Sequence, residues 1–185
     1  MRRAAVAALA AGAAVPVAAH LLGGDGFSAG LHHPLGGLDH LLAMVGVGLW
    51  AGQRGGRSTW ALPVAFVAAM VAGGGLGLAG IGLPAVEIAI LGSVIVLGTL
   101  VALRLRPPVW AGMALAGLFA LFHGHAHGAE MPSAVHPVVY AAGFVTAAAI
   151  LHLAGIAAAL ILRDGRLVRA GGAAIALSGM LLMVA

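Results

Sequence analysis

The chain has no cysteine, which removes disulfides, iron–sulfur clusters and thiolate metal sites. Any metal must then be held by nitrogen, oxygen or the methionine thioether. Charge is nearly missing as well: Asp, Glu, Lys and Arg make up 8% of the 185 residues, where a soluble domain carries about 25%. Lysine is absent, so all nine basic residues are arginine, scattered in small groups, and aromatics are only 5%. The net charge of +4 therefore forms no aromatic-interleaved basic face, and nucleic acid is excluded as a partner. No Gly-x-x-x-x-Gly-Lys-Ser/Thr loop occurs, so this chain does not hydrolyse ATP itself. What it has instead is hydrophobicity, at 62% of residues, which makes lipid its main solvent.

Residues 1–19 read as a signal peptide: Arg2-Arg3, an Ala-rich stretch, and a small-residue cleavage site at Val17-Ala18-Ala19. The rival reading is a short uncleaved helix. Cleavage leaves His20 as the mature N-terminus, where amine and imidazole together could take a metal weakly. The rest, residues 20–185, reads as one all-α, polytopic membrane domain of six transmembrane helices. Their expected limits are Pro34–Gly52, two spans between Thr59 and Leu103 with a turn at Gly80–Pro84, Pro108–His127, His136–Leu162 and Leu167–Ala185. Arginines fall at alternate connections, Arg54/Arg57, Arg104/Arg106 and Arg163/Arg166/Arg169. The positive-inside rule puts these in the cytoplasm and the mature N-terminus outside, in a cytoplasmic membrane.

Eight of the nine histidines then gather on the outer side, together with Asp39 and Glu87, and only His152 sits deeper. Ionisable groups at membrane depth are costly and usually pair, face a cavity and serve a function. In the first cluster Pro34 is expected to open the helix, with Asp39 and His40 in its first two turns. His33, His40 and Met44 then share roughly one face, and Asp39 serves as a ligand or as a partner that orients an imidazole. His32 reads as a capping residue in headgroup water. In the second cluster His123 and His127 are four residues apart, a spacing that lets two imidazoles grip one ion. His125 points elsewhere, and Glu130 follows one turn later if Gly128 does not break the helix. Glu87 closes the site or is a helix-start carboxylate, and His136, like His33, precedes a proline. His152 is a buried, hydrogen-bonded histidine or a second station for an ion. Met44 is a weak ligand or a packing residue; Gly48/Gly52, Gly73/Gly77 and Gly124/Gly128 read as helix-packing pairs.

At these residues the chain closely resembles the HupE/UreJ family of nickel/cobalt permeases. The resemblance lies in His33-Pro34-x-x-Gly37-x-Asp39-His40-x-x-x-Met44, continuing through Gly46, Gly48, Leu49 and Trp50. It recurs in His123-Gly124-x-Ala126-His127-Gly128-x-Glu130, in Tyr140-x-x-Gly143-Phe144 and in Leu151-His152-x-x-Gly155. It implies uptake of Ni²⁺ or Co²⁺, handled by His33, Asp39, His40, His123, His127 and Glu130, with no prosthetic group. The His-x₄-Asp-His signature of the larger nickel/cobalt transporters is not met, because five residues separate His33 from Asp39.

The expected function is thus a secondary permease, not an enzyme, whose partners are a divalent transition-metal ion and the bilayer; a homo-oligomer stays open. The rival from another class is an intramembrane zinc hydrolase using the same His/Asp cluster, although no Ser or Thr adjoins the clusters in sequence. A haem-binding electron carrier is a weaker rival, because it would want paired histidines at mid-membrane.

Overall fold

The structure is a computed structural model that describes residues 24–162 and 165–185. The expected signal peptide, His20 and Arg163 lie outside the described residues. Among these the regular elements are all helices: α1 (Gly24–Gly36), α2 (Leu38–Arg54), α3 (Ser58–Leu78), α4 (Val86–Ala102), α5 (Val109–Ala129), α6 (Pro137–Ile161) and α7 (Gly165–Val184). The four helices α3, α5, α6 and α7 are long and apolar enough to cross a membrane. The pair α1 and α2 passes the same test together, bent by 84° at the break between them, and α4 is a shorter apolar helix. Large apolar side chains on the outer faces, among them Trp60, Ile88, Trp110, Ile150 and Leu153, are exposed. A surface this apolar fits a multi-pass membrane protein.

Pro34 does not open the first span. It lies inside α1, and the break falls at Gly37, whose extended backbone (φ −100°, ψ 115°) precedes α2. The break coincides with tandem Gly36-Gly37, each about 1 kcal/mol less favourable in a helix interior than alanine, and Pro34 is held within α1 just before it. His33 and His40 therefore belong to two helices rather than to one face. The other expected limits hold within a few residues, including Pro108 ahead of α5 and Pro137 at the start of α6. The turn after α3 uses Gly80 at φ +69°, a left-handed conformation that glycine takes without strain.

The helices pack in pairs, α3 on α5, α4 on α7 and α2 on α6, with α1 also against α6. Small residues let the backbones touch. A Cβ on Gly124 would fall on the Met70 carbonyl, and one on Gly73 on the Leu121 carbonyl. Likewise Gly48 abuts the His152 carbonyl across α2 and α6. The expected glycine pairs are thus packing residues, as lipid-embedded helices require where close approach drives association. Trp50, Leu62, Phe66, Met70 and Leu97 fill the interior. At the arginine end, Trp50 Nε1 donates to the Leu105 carbonyl (3.0 Å), Gln53 Nε2 to Val101 (3.0 Å) and Arg54 Nη2 to Pro107 (2.7 Å). These bonds tie the end of α2 to the last turn of α4 and to the α4–α5 connection, and leave its other end to carry the histidines.

Candidate metal site

The site begins at the broken helix. Asp39, in the first turn of α2, accepts the His40 backbone N–H at 2.7 Å and the His40 ring Nδ1–H at 2.9 Å, both on Oδ1. A carboxylate can only accept, so Nδ1 carries a proton, and in the neutral ring the lone pair is on Nε2. That Nε2 is buried and has no hydrogen-bond partner. Of the two roles expected for Asp39, this geometry is that of the orienting carboxylate.

Helix α5 supplies the next two rings. Its i, i+4 spacing sets His123 and His127 on the face turned inward, and both are fully buried. Gly128 does not end the helix, which runs to Ala129 with Glu130 as its C-cap. The His40 ring lies 4.7 Å, centroid to centroid, from both His123 and His127, and His33 of α1 lies 4.8 Å from His127. Four imidazoles from three helices thus form one contiguous row, His33–His127–His40–His123. Aromatic walls hold it: Phe144 stacks on His127 at 5.2 Å, Phe66 lies 5.9 Å from His123, and Tyr140 lies 6.0 Å from His33.

The row is short of partners. His127 has both nitrogens unbonded, His123 has Nδ1 unbonded and His40 has Nε2 unbonded. Each buried polar atom left so costs about 1–3 kcal/mol, and such atoms are rare enough in folded proteins to need a reason. The rings meet edge to face. Among the described residues no group of three or more His, Cys, Asp or Glu side chains stands ready to hold an ion as it is. The donors are gathered, but they do not yet converge.

A cavity of about 550 Å³ opens beside the row, lined by His32, His33, Asp39, His40, Glu87 and Glu130. Glu130 pairs there with His33 (Oε2 to Nε2, 3.2 Å) and is itself well exposed. Glu87 reaches the same cavity from the first turn of α4. His32, expected as a capping residue, lies instead inside α1 and bonds back to the Ser28 carbonyl of the same helix at 2.8 Å. His125 is turned away, with Nε2 2.9 Å from the Ile81 carbonyl of the α3–α4 turn. His136 is an exposed residue ahead of α6, and Met44 is a fully buried core residue. His152 is buried too, 5.0 Å from the same Phe66 ring that contacts His123, with neither nitrogen bonded. It is therefore not the hydrogen-bonded core histidine that was one of its two expected readings.

A model of the family described as HupE / UreJ protein matches residues 6–182. The chain belongs to the HupE/UreJ family. Protein HupE of Rhizobium leguminosarum bv. viciae is 47% identical over 178 residues, covering 92% of this chain and 93% of that protein. No solved structure matches the chain significantly. HupE/UreJ proteins are transporters rather than enzymes, so the zinc-hydrolase alternative is set aside.

Two contacts escaped the sequence reading. Ser93 of α4, fully buried, lies 2.9 Å from His123 Nε2, although no serine adjoins the histidines in sequence. Phe66 makes ring contacts with both His123 (5.9 Å) and His152 (5.0 Å). Neither carries a local signal, because each becomes a neighbour only through helix pairing.

Proposed function

We propose that the protein is a secondary permease that brings Ni²⁺ or Co²⁺ across the cytoplasmic membrane into the cell. Family membership supports the class, and His127 carries the reading of the site. A fully buried imidazole between two others, with both nitrogens unbonded, has no packing rationale but suits a divalent ion that prefers nitrogen. The ion is the cargo and no prosthetic group is needed. In this reading, residues 1–19 are a cleaved signal peptide and residues 20–185 form one domain of six spans. The bent α1–α2 pair counts as one span, and α4, at 17 residues, spans about 25 Å. The arginine-rich connections face the cytoplasm and the cavity faces outward.

Transport starts with capture in the cavity, where Glu87, Glu130 and His33 offer two carboxylates and an imidazole. Rotation of the rings then brings His40 Nε2, His123 and His127 around the ion, with Asp39 holding His40 in place. Exit follows past Phe66 to His152 and on to the cytoplasm. Neutral nitrogen donors at moderate affinity suit this task, since the ion must leave as well as bind. Met44, His125, His136 and His20 stay outside the ligand set.

The test is ⁶³Ni²⁺ accumulation in cells expressing the chain, beside His40→Ala and with Co²⁺ and Zn²⁺ as competitors. Uptake abolished by His40→Ala supports the permease, and the competitor that suppresses it names the preferred ion. Folded protein in the membrane with no uptake of any of the three ions overturns the proposal.

A further inference from the structure

Ser93 makes two bonds that together decide more than either alone. Its hydroxyl lies 2.6 Å from the Ile90 carbonyl, one turn back on α4, and 2.9 Å from His123 Nε2. A carbonyl has no proton to give, and a hydroxyl has one. At 2.6 Å that proton must sit between Ser93 Oγ and the Ile90 oxygen. The bond to His123 is then made by the ring: Nε2–H donates and Ser93 Oγ accepts. The second ring nitrogen, Nδ1, is buried without a partner.

We infer that Ser93 is a positioning residue for transport, fixing His123 in the Nε2–H tautomer so that Nδ1 is the nitrogen presented to the ion. The inference rests on the permease reading for its consequence, but not for the state of the ring. It sets His123 against His40, which Asp39 locks in the opposite tautomer with Nε2 free. Of the three rings His40, His123 and His127, two are thus committed by neighbouring groups, and His127 is uncommitted. A serine hydroxyl spent on its own helix is well suited to this role. It cannot turn to donate to the ring without breaking the bond to Ile90, and so behaves as a fixed acceptor.

The experiment uses the full chain in lipid nanodiscs with ¹⁵N-labelled histidine, His123→Gln identifying the resonances of that ring. Long-range ¹H–¹⁵N spectra distinguish the two tautomers, and calorimetry with Ni²⁺ alone reads affinity. Expected are a pure Nε2–H ring in the parent and mixed tautomers in Ser93→Ala, with Ni²⁺ binding weakened about tenfold. Ser93→Thr, which keeps the hydroxyl, is expected to restore both. An Nδ1–H ring in the parent, or a ring unchanged in Ser93→Ala, overturns the inference. Mixed tautomers with unchanged Ni²⁺ affinity likewise overturn its transport role. If Ser93→Ala does not fold, the parent spectrum and the threonine variant still decide. Tautomers that behave as expected in a parent that binds neither Ni²⁺ nor Co²⁺ count against the permease instead, and leave the Ser93–His123 assignment standing.

Discussion

Removing the Asp39 carboxylate should weaken metal binding in two separable steps. The carboxylate holds the His40 ring by a 2.9 Å bond to Nδ1 and does not itself belong to the row of imidazoles. Loss of such an orienting partner typically costs 10–100-fold in affinity, or about 1.4–2.8 kcal/mol. Asp39→Ala removes the acceptor and frees the ring, and should show the whole of it. Asp39→Asn keeps an oxygen that can accept from Nδ1–H but loses the charge. Hydrogen bonds to charged groups contribute about 1.5–3 kcal/mol against about 1 for neutral ones, so the asparagine variant should lose about 1 kcal/mol, roughly fivefold. Calorimetric Ni²⁺ titration of purified protein in nanodiscs reads both, with thermal unfolding as the control for a folded sample. Equal losses in the two variants would refute the reasoning, because the oxygen that asparagine keeps for Nδ1–H would then contribute nothing.

Two further outcomes separate the site from its surroundings. His125→Ala, which removes only the bond to the Ile81 carbonyl, should keep Ni²⁺ uptake within about twofold of the parent, whereas His127→Ala should abolish it; an equal loss in both would place His125 in the path. His152→Ala should leave equilibrium Ni²⁺ affinity unchanged while slowing uptake, since the ring contact of His152 is to Phe66 and not to the imidazoles of the row; weakened equilibrium binding would instead make it a ligand of the main site.

Much of this was legible in one dimension, and the reasons are physical. Apolar runs between arginines marked the helices because lipid penalises charge uniformly along a span. The i, i+4 spacing marked His123 and His127 because a helix is regular over one turn. The same regularity misled at Pro34. A straight helix was assumed where Gly36-Gly37 divides the segment, and the partnership of His33 with His127 across helices could not follow from spacing. Glu130 is near His127 in sequence but pairs with His33, because it caps α5 at the cavity. Ser93 and Phe66 had no local signature at all. Their proximity to His123 depends on how the helices are laid side by side, which periodicity does not encode.

The break at Gly37 also joins two helix ends of opposite polarity at the site. The C-terminal end of α1, with His33 in its last turn, carries partial negative charge and favours an arriving cation. The N-terminal end of α2 carries partial positive charge and opposes one, and Asp39 in its first turn offsets that. The break is therefore useful only while the Asp39–His40 pair keeps its geometry, which Gly37 adjoins. A Cβ there would lie 2.9 Å from Asp39 Oδ1 and 3.2 Å from His40 Nδ1, whereas one on Gly36 meets open space. Both Gly→Ala changes raise helix propensity by about 1 kcal/mol, so helix continuity alone predicts similar effects from each. Crowding predicts that Gly37→Ala displaces the carboxylate and weakens Ni²⁺ binding toward the level of Asp39→Ala, while Gly36→Ala stays near the parent. Titration of the two variants side by side decides between them, and matched losses would mean that the bend, rather than the pair it exposes, sets the affinity.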